Sequence, residues 1–156
     1  MKTKINHRKY IPFYIVTSLI FITLIVSIIL YNTKGYGTKR TFIFPSVDAG
    51  EYIVETRYLP KNPAMDEINF YVDELLLGPG VERTKFIFTA GTKKLSCFER
   101  EGILYLNLSS DLLKMGGNVI EIKEGVELLK KNIFMNFSHI KQVELFIDGK
   151  YAYEEN

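Results

Sequence analysis

The folded part of this 156-residue chain holds one histidine, His139, and one cysteine, Cys97, the residue types most often found as proton carrier, nucleophile or transition-metal ligand near neutral pH. A tight transition-metal site needs three or four such ligands at short spacing, and neither residue stands in a group of that kind. His139 falls between a helix end and a strand, where a cationic side chain favours the helix C-terminus. Cys97 lies mid-strand between Ser96 and Phe98 and reads as a buried or half-buried thiol. As the only cysteine it has no intrachain disulfide partner, which leaves only an intermolecular one open. The carboxylate pairs Asp66–Glu67 and Asp73–Glu74 decorate an amphipathic helix, and Glu99 and Glu101 bracket a turn, so solvated charge accounts for them. Gly78–Pro79–Gly80 and Ala90–Gly91–Thr92 lack the glycine spacing and the strand-to-helix setting of a phosphate cradle. No catalytic, cofactor-binding or metal-binding residue is therefore assigned. The expectation is a protein that binds or assembles rather than an enzyme.

The elements that would position any site begin with a membrane anchor. No charged residue occurs between Tyr10 and Thr33, and Ile11–Tyr31 is almost wholly aliphatic and aromatic. As a helix that run covers roughly 31 Å, the thickness of a bilayer's hydrocarbon core at about 30 Å. Thr17, Ser18, Thr23 and Ser27 interrupt it, and helical hydroxyls can bond back to their own backbone. A cleaved secretory signal has a shorter apolar region and small residues at the cut, whereas Ile28–Ile29–Leu30–Tyr31–Asn32 offers no such site. An uncleaved single-pass anchor in the cell membrane is expected. Lys2, Lys4, Arg8 and Lys9 crowd a tail without acidic residues, which favours a cytoplasmic N-terminus and an exported domain. The resulting division is 1–9 cytoplasmic tail, 10–31 transmembrane helix contacting the lipid bilayer, 32–40 linker and 41–156 domain.

Charge separates these parts. The first 31 residues hold four basic and no acidic side chains, which leaves 16 Lys and Arg against 18 Asp and Glu downstream, a net of −2. Nucleic-acid binding wants a concentrated basic face, and the pairs Lys93–Lys94 and Lys130–Lys131 are too short to form one.

Within the domain, Thr41–Val47 and Glu51–Leu59 read as a hairpin around Asp48–Ala49–Gly50. Asn62 as cap and Pro63 at the first position open a helix with Ile68, Val72, Leu75 and Leu76 on one face. Gly78–Pro79–Gly80 ends that helix. Lys93–Glu99 and Ile103–Ser109 form a second hairpin, with Leu104, Leu106 and Leu108 on one face. Ser109–Ser110–Asp111 starts a short turn of helix to about Met115. A longer helix over 120–137 carries Ile122, Val126, Leu129, Ile133 and Phe137 on one stripe, with Gly125 weakening its start. Gln142–Asp148 alternates as a strand, and Asp148–Gly149 turns into Tyr151 and Tyr153. The order β-β-α-β-β-α-β predicts an α+β fold: a small sheet with two helices packed on one face. Leu76, Leu106, Ile133 and Leu145 are expected to meet in its core.

Several segments, in order, carry a family likeness: Leu75–Leu76–Leu77–Gly78–Pro79, Ala90–Gly91–Thr92, the run from Gly102 to Ser109, the apolar second helix, and Phe146–Ile147–Asp148–Gly149–Lys150. Over roughly residues 41–152 the chain resembles the GerMN domain family of sporulation and germination proteins. It departs from the family in having Thr89 where a proline is usual, and a transmembrane helix where many members carry a lipid-modified cysteine. The resemblance implies a fold like the ring-building motif of secretion-system proteins, two helices against a three-stranded sheet with a further β-element. It also implies a non-enzymatic envelope protein whose partners are envelope proteins or further copies of itself, with no cofactor and no small-molecule substrate identified. The contrasting expectation is an envelope receptor for a small molecule or cell-wall fragment, which needs a concave pocket with converging polar groups. Tyr36, Phe42, Phe44, Tyr52, Tyr58 and Tyr71 read as an aromatic surplus for contact, with Tyr71 and Lys130 as exposed positions.

Overall fold

The structure, a computed structural model, describes residues 11–33, 37–48, 50–61, 65–114 and 116–152. The tail before Ile11, Tyr36, Ala49, the Asn62–Pro63 helix start, Met115 and Tyr153 lie outside the described residues. The chain forms two units, residues 1–36 and 37–156.

The first unit contains one helix, α1 (Ile11–Thr33). Its segment Ile11–Leu30 is long and apolar enough to cross a membrane, and none of it is buried against protein. The Thr17 hydroxyl donates to the Phe13 carbonyl at 2.9 Å and that of Thr23 to the Ile20 carbonyl at 2.9 Å, so these polar side chains are satisfied within the helix.

The described residues of the second unit form an α+β domain of six strands and two helices, with one 3-10 turn. In order these are β1 (Thr38–Pro45), β2 (Tyr52–Leu59), α2 (Glu67–Leu77), β3 (Lys94–Arg100), β4 (Ile103–Leu108), the turn Ser110–Leu113, α3 (Ile122–Asn136), β5 (Gln142–Ile147) and β6 (Lys150–Tyr151). The strands divide into a two-stranded sheet, β1-β2, and a four-stranded sheet in the order β3-β4-β5-β6. Strand β4 pairs parallel with β5, which requires a long crossover, and α3 supplies it. Glu101 and Gly102 (φ 55° and 77°) close the β3–β4 hairpin, and Asp148 and Gly149 (φ 47° and 76°) close β5–β6. Positive φ at both central residues twists such turns to match the strands.

One core unites the layers. Leu104, Leu106 and Leu108 of β4 and Val143 and Leu145 of β5 are buried together with Ile68, Val72 and Leu75 of α2 and Val126, Leu129 and Ile133 of α3. Leu76 is only partly buried against this cluster, whereas Tyr71 on the same helix is fully enclosed.

Two boundaries and the role of one glycine differ from the sequence reading. Helix α2 is capped by Asp66, whose carboxylate accepts from the Asn69 N–H at 2.8 Å. The oxygen lies on the third helical N–H, the geometry by which an aspartate cap satisfies one of the free donors at a helix start. The linker expected over 32–40 is shorter, because Asn32 and Thr33 belong to α1 and Thr38–Arg40 pair with Arg57–Leu59. Gly125 has a packing role: a Cβ there would stand 2.7 Å from the Ile87 carbonyl and 3.0 Å from the Phe88 ring. The helix accepts the cost of glycine so that the 86–88 segment can lie against it.

Candidate functional site

The chemistry-bearing residues are dispersed and bound into the scaffold. His139 is exposed, its Nε2 3.1 Å from a Glu99 carboxylate oxygen and its ring edge-on to Phe137. Asp66 is the α2 cap, whereas Glu67 pairs with Arg40 at 2.5 Å, Asp73 with Lys94 at 2.9 Å and Glu74 with Arg57 at 3.3 Å. The α2 carboxylates expected to be solvated therefore tie the helix to β1, β2 and β3. The Glu99–Glu101 pair does not converge on a common point, because Glu101 closes the hairpin turn. Among the described residues no group of three or more His, Cys, Asp or Glu could hold a metal ion.

Cys97 is half-buried on β3, and burial pushes its thiol up to about 12. The thiolate is the reactive form, so native Cys97 is expected to react with iodoacetamide at pH 7.5 about a thousandfold more slowly than a free thiol. Mass spectrometry of labelled native and urea-unfolded protein measures this, and comparable rates in the two states would refute it.

The aromatic residues sort into two sets. Phe42, Phe44 and Tyr71 are fully buried; Tyr52 and Tyr58, on the outer face of β2, are exposed. The expectation that Tyr71 is exposed is thus corrected. Its ring stacks on Phe42 at 4.5 Å, and its hydroxyl bonds the Thr41 carbonyl at 2.9 Å. Burial pushes the Tyr71 hydroxyl well above its usual range despite the nearby Arg40 and Arg57.

The β1-β2 hairpin is locked to both helices by polar side chains that sequence reasoning missed. Asn132, fully buried on α3, accepts from the Ile43 N–H at 2.7 Å and donates to the Ile43 carbonyl at 2.9 Å. One helical turn on, Asn136 accepts from the Thr41 N–H at 2.9 Å and donates to the Thr41 carbonyl at 2.6 Å. Two residues along a strand advance about 6.6 Å and four along a helix about 6 Å. An i, i+4 asparagine pair can therefore occupy the place of a neighbouring strand. On the inner face of the hairpin two arginines stand opposite each other, Arg40 on β1 and Arg57 on β2. Arg40 donates to the Asn136 carbonyl at 2.6 Å, at the end of α3. Arg57 donates to the Glu74 and Gly78 carbonyls at 3.1 and 2.7 Å, at the end of α2, and lies over the Phe42 ring at 4.7 Å. Each guanidinium sits at the negative end of a helix dipole with a carboxylate beside it, which offsets their mutual repulsion.

What remains available on the surface is an edge and two clefts. The outer face of β2 exposes Tyr52, Val54, Thr56 and Tyr58, with Val54 63% accessible. An open cleft of about 540 Å³ lies between the end of α2 and the loop before β3, lined by Leu76, Leu77, Phe86, Gly91, Thr92 and Lys94. Two of the sequence segments behind the family likeness meet there. Thr89, at the departure from the family pattern, donates its hydroxyl to the Lys114 carbonyl. A second cleft of about 550 Å³ is flanked by Arg40, Glu67, Phe98, Glu99, Phe137 and His139.

A profile of the family Germane, described as sporulation and spore germination, matches residues 41–152. A Treponema pallidum (strain Nichols) protein described as an uncharacterized lipoprotein is 27% identical over 126 residues, 80% of this chain and 94% of that one. The fold is similar to the first GerMN domain of the sporulation protein GerM from Bacillus subtilis, with a TM-score of 0.52 and 17% identity over 75% of this chain and 87% of that one.

Proposed function

We propose, for a chain that belongs to the Germane family, that it is a membrane-anchored, extracytoplasmic assembly module: α1 spans the cell membrane once and the domain binds envelope proteins without performing chemistry. The observation that carries this reading is the exposed outer face of β2, where Tyr52, Val54 and Tyr58 present apolar surface from a strand whose inner face is locked in place. Large exposed rings on a rigid element are what a protein interface uses as anchors. The basic tail before α1 supports export of the domain, and the lipoprotein relative supports a place at a membrane. Anchoring also raises the effective concentration of neighbours in the same membrane, so a modest contact suffices.

The test is a photoreactive residue placed singly at Val54, Leu77 and Phe98 in the full chain, followed by irradiation of intact membranes. Discrete adducts to envelope proteins or to a second copy are expected from at least one position. A second reading, a receptor for a small molecule or wall fragment, draws support from the two clefts, each within the size range of ligand sites. Absence of adducts from all three positions, with saturable binding of a wall fragment to the purified chain, would replace the first reading by the second.

A further inference from the structure

We infer that two copies of this chain associate through β2, paired antiparallel across a two-fold axis at Thr56. The inference rests on the assembly reading above and specifies its partner. Thr41 and Ile43 direct their N–H and carbonyl groups away from β2, to Asn136 and Asn132. Thr56 and Val54 stand opposite them in the hairpin register. In an antiparallel pair, opposed residues either both face one another's backbone or both face away. The N–H and carbonyl groups of Val54 and Thr56 therefore point outward from the sheet. Among the described residues no strand pairs with this edge. Such an edge is a template for another strand.

The sequence of β2 selects a second copy as the occupant because it is complementary to itself. With the axis at Thr56, Thr56 meets Thr56, Val54 meets Tyr58 of the second copy, and Glu55 meets Arg57 of the second copy. These are a Thr–Thr pair, an aromatic–β-branched pair and an opposite-charge pair, the three kinds of cross-strand pair that stabilise sheets. The symmetric registers one residue away put the axis at Glu55 or Arg57, where like charges would stand directly opposite; those centred on Val54 or Tyr58 place Glu55 opposite Ile53 or Arg57 opposite Leu59 and lose the Glu55–Arg57 pair. Inward-pointing charges ordinarily protect an edge. Here Arg57 and Glu55 already neutralise each other within each copy, at 2.9 Å, and in this register the pairs alternate in sign across the axis.

Thr56→Cys tests the register. Directly opposed hydrogen-bonded residues have Cα atoms about 5.5 Å apart, within disulfide reach, whereas two Val54 residues would be displaced by roughly 14 Å along the strands. The full chain carrying Thr56→Cys, oxidised in intact membranes, is expected to give at least about tenfold more covalent dimer than Val54→Cys or the chain with Cys97 alone. Chains carrying Val54→Cys and Tyr58→Cys, expressed together, should cross-link to each other. Thr56→Pro removes the outward N–H and should abolish self-adducts from a photoreactive residue at Val54 while leaving the far-ultraviolet circular dichroism unchanged. Equal dimer from Thr56→Cys and Val54→Cys, or none from either, overturns the strand pairing. If adducts from Leu77 or Phe98 persist in that case, the assembly reading stands without it; if they too are missing, both fall.

Discussion

Replacing Asn132 by alanine is expected to destabilise the domain by about 3–5 kcal/mol, the largest effect of any single polar side chain here. The amide is fully buried and serves both the N–H and the carbonyl of Ile43. Alanine leaves two buried backbone groups without partners, at about 1–3 kcal/mol each, and removes the bond to the Tyr71 hydroxyl as well. A domain of this size is stable by about 5–15 kcal/mol, so about a fifth or more of the total is at stake. Asn132→Asp separates hydrogen bonding from packing. It keeps the shape but presents an acceptor, or a buried charge, to the Ile43 carbonyl, and should cost at least as much as alanine. Asn136→Ala, at a half-buried position that water can reach, should cost about 1–2 kcal/mol. Urea unfolding of the detergent-solubilised chain, followed by near-ultraviolet circular dichroism, measures all three. A loss below about 1 kcal/mol for Asn132→Ala would mean that β1 does not depend on α3 for its outer hydrogen bonds.

The same asparagines mark the limit of what was legible in the sequence. The alternation Leu104–Leu106–Leu108 and Val143–Leu145, and the turns at Glu101–Gly102 and Asp148–Gly149, depend on neighbours within a few residues. They fall where the pattern puts them. The apolar length of Ile11–Leu30 is likewise a local property. An asparagine pair on a helix has no such local signature, because its purpose lies 89 to 95 residues away in β1. Reading the carboxylates of α2 as solvated charge missed their partners for the same reason: Arg40, Arg57 and Lys94 reach Glu67, Glu74 and Asp73 from strands distant in the chain. Gly125 reads as a weak point under helix propensity alone, and only the approach of Ile87 and Phe88 gives it a purpose. Turns and periodicity encode neither the parallel β4–β5 pairing nor the separation of β1-β2 from the other sheet. Of the candidate surface, the sequence singled out Tyr52 and Tyr58 among its aromatic surplus but not Val54; the outward direction of that edge followed only from where the asparagines bind.

Arg57→Met should cost about 2–4 kcal/mol at neutral pH, and the cost should shrink in acid. Methionine keeps the contact with Phe42 and Phe44 but removes the donors to the Glu74 and Gly78 carbonyls and to both carboxylates. Removing one partner of a fully buried ion pair costs about 3–5 kcal/mol, and partial exposure of this cluster lowers that figure. The pH dependence follows from Glu55. Its carboxyl is held below the usual carboxylate range, first by the hydrogen bond from Arg57, against burial, with further help from the Gly80 N–H. A depressed folded-state pKa contributes stability that is present above the unfolded pKa and is lost as pH falls through the folded one. Without Arg57 the main cause of the depression is gone and burial, which favours the neutral acid, opposes the Gly80 bond. The variant therefore loses less than the parent protein on acidification, and the gap between them narrows below about pH 4.5. Glu55→Gln added to Arg57→Met should recover part of the neutral-pH loss, because a neutral amide tolerates burial better than an unpaired carboxylate. Urea titrations at pH 7 and pH 4 read both effects. A gap that stays constant over that range would place the stabilising contribution of Arg57 in its bonds to the end of α2 rather than in its pairing with Glu55.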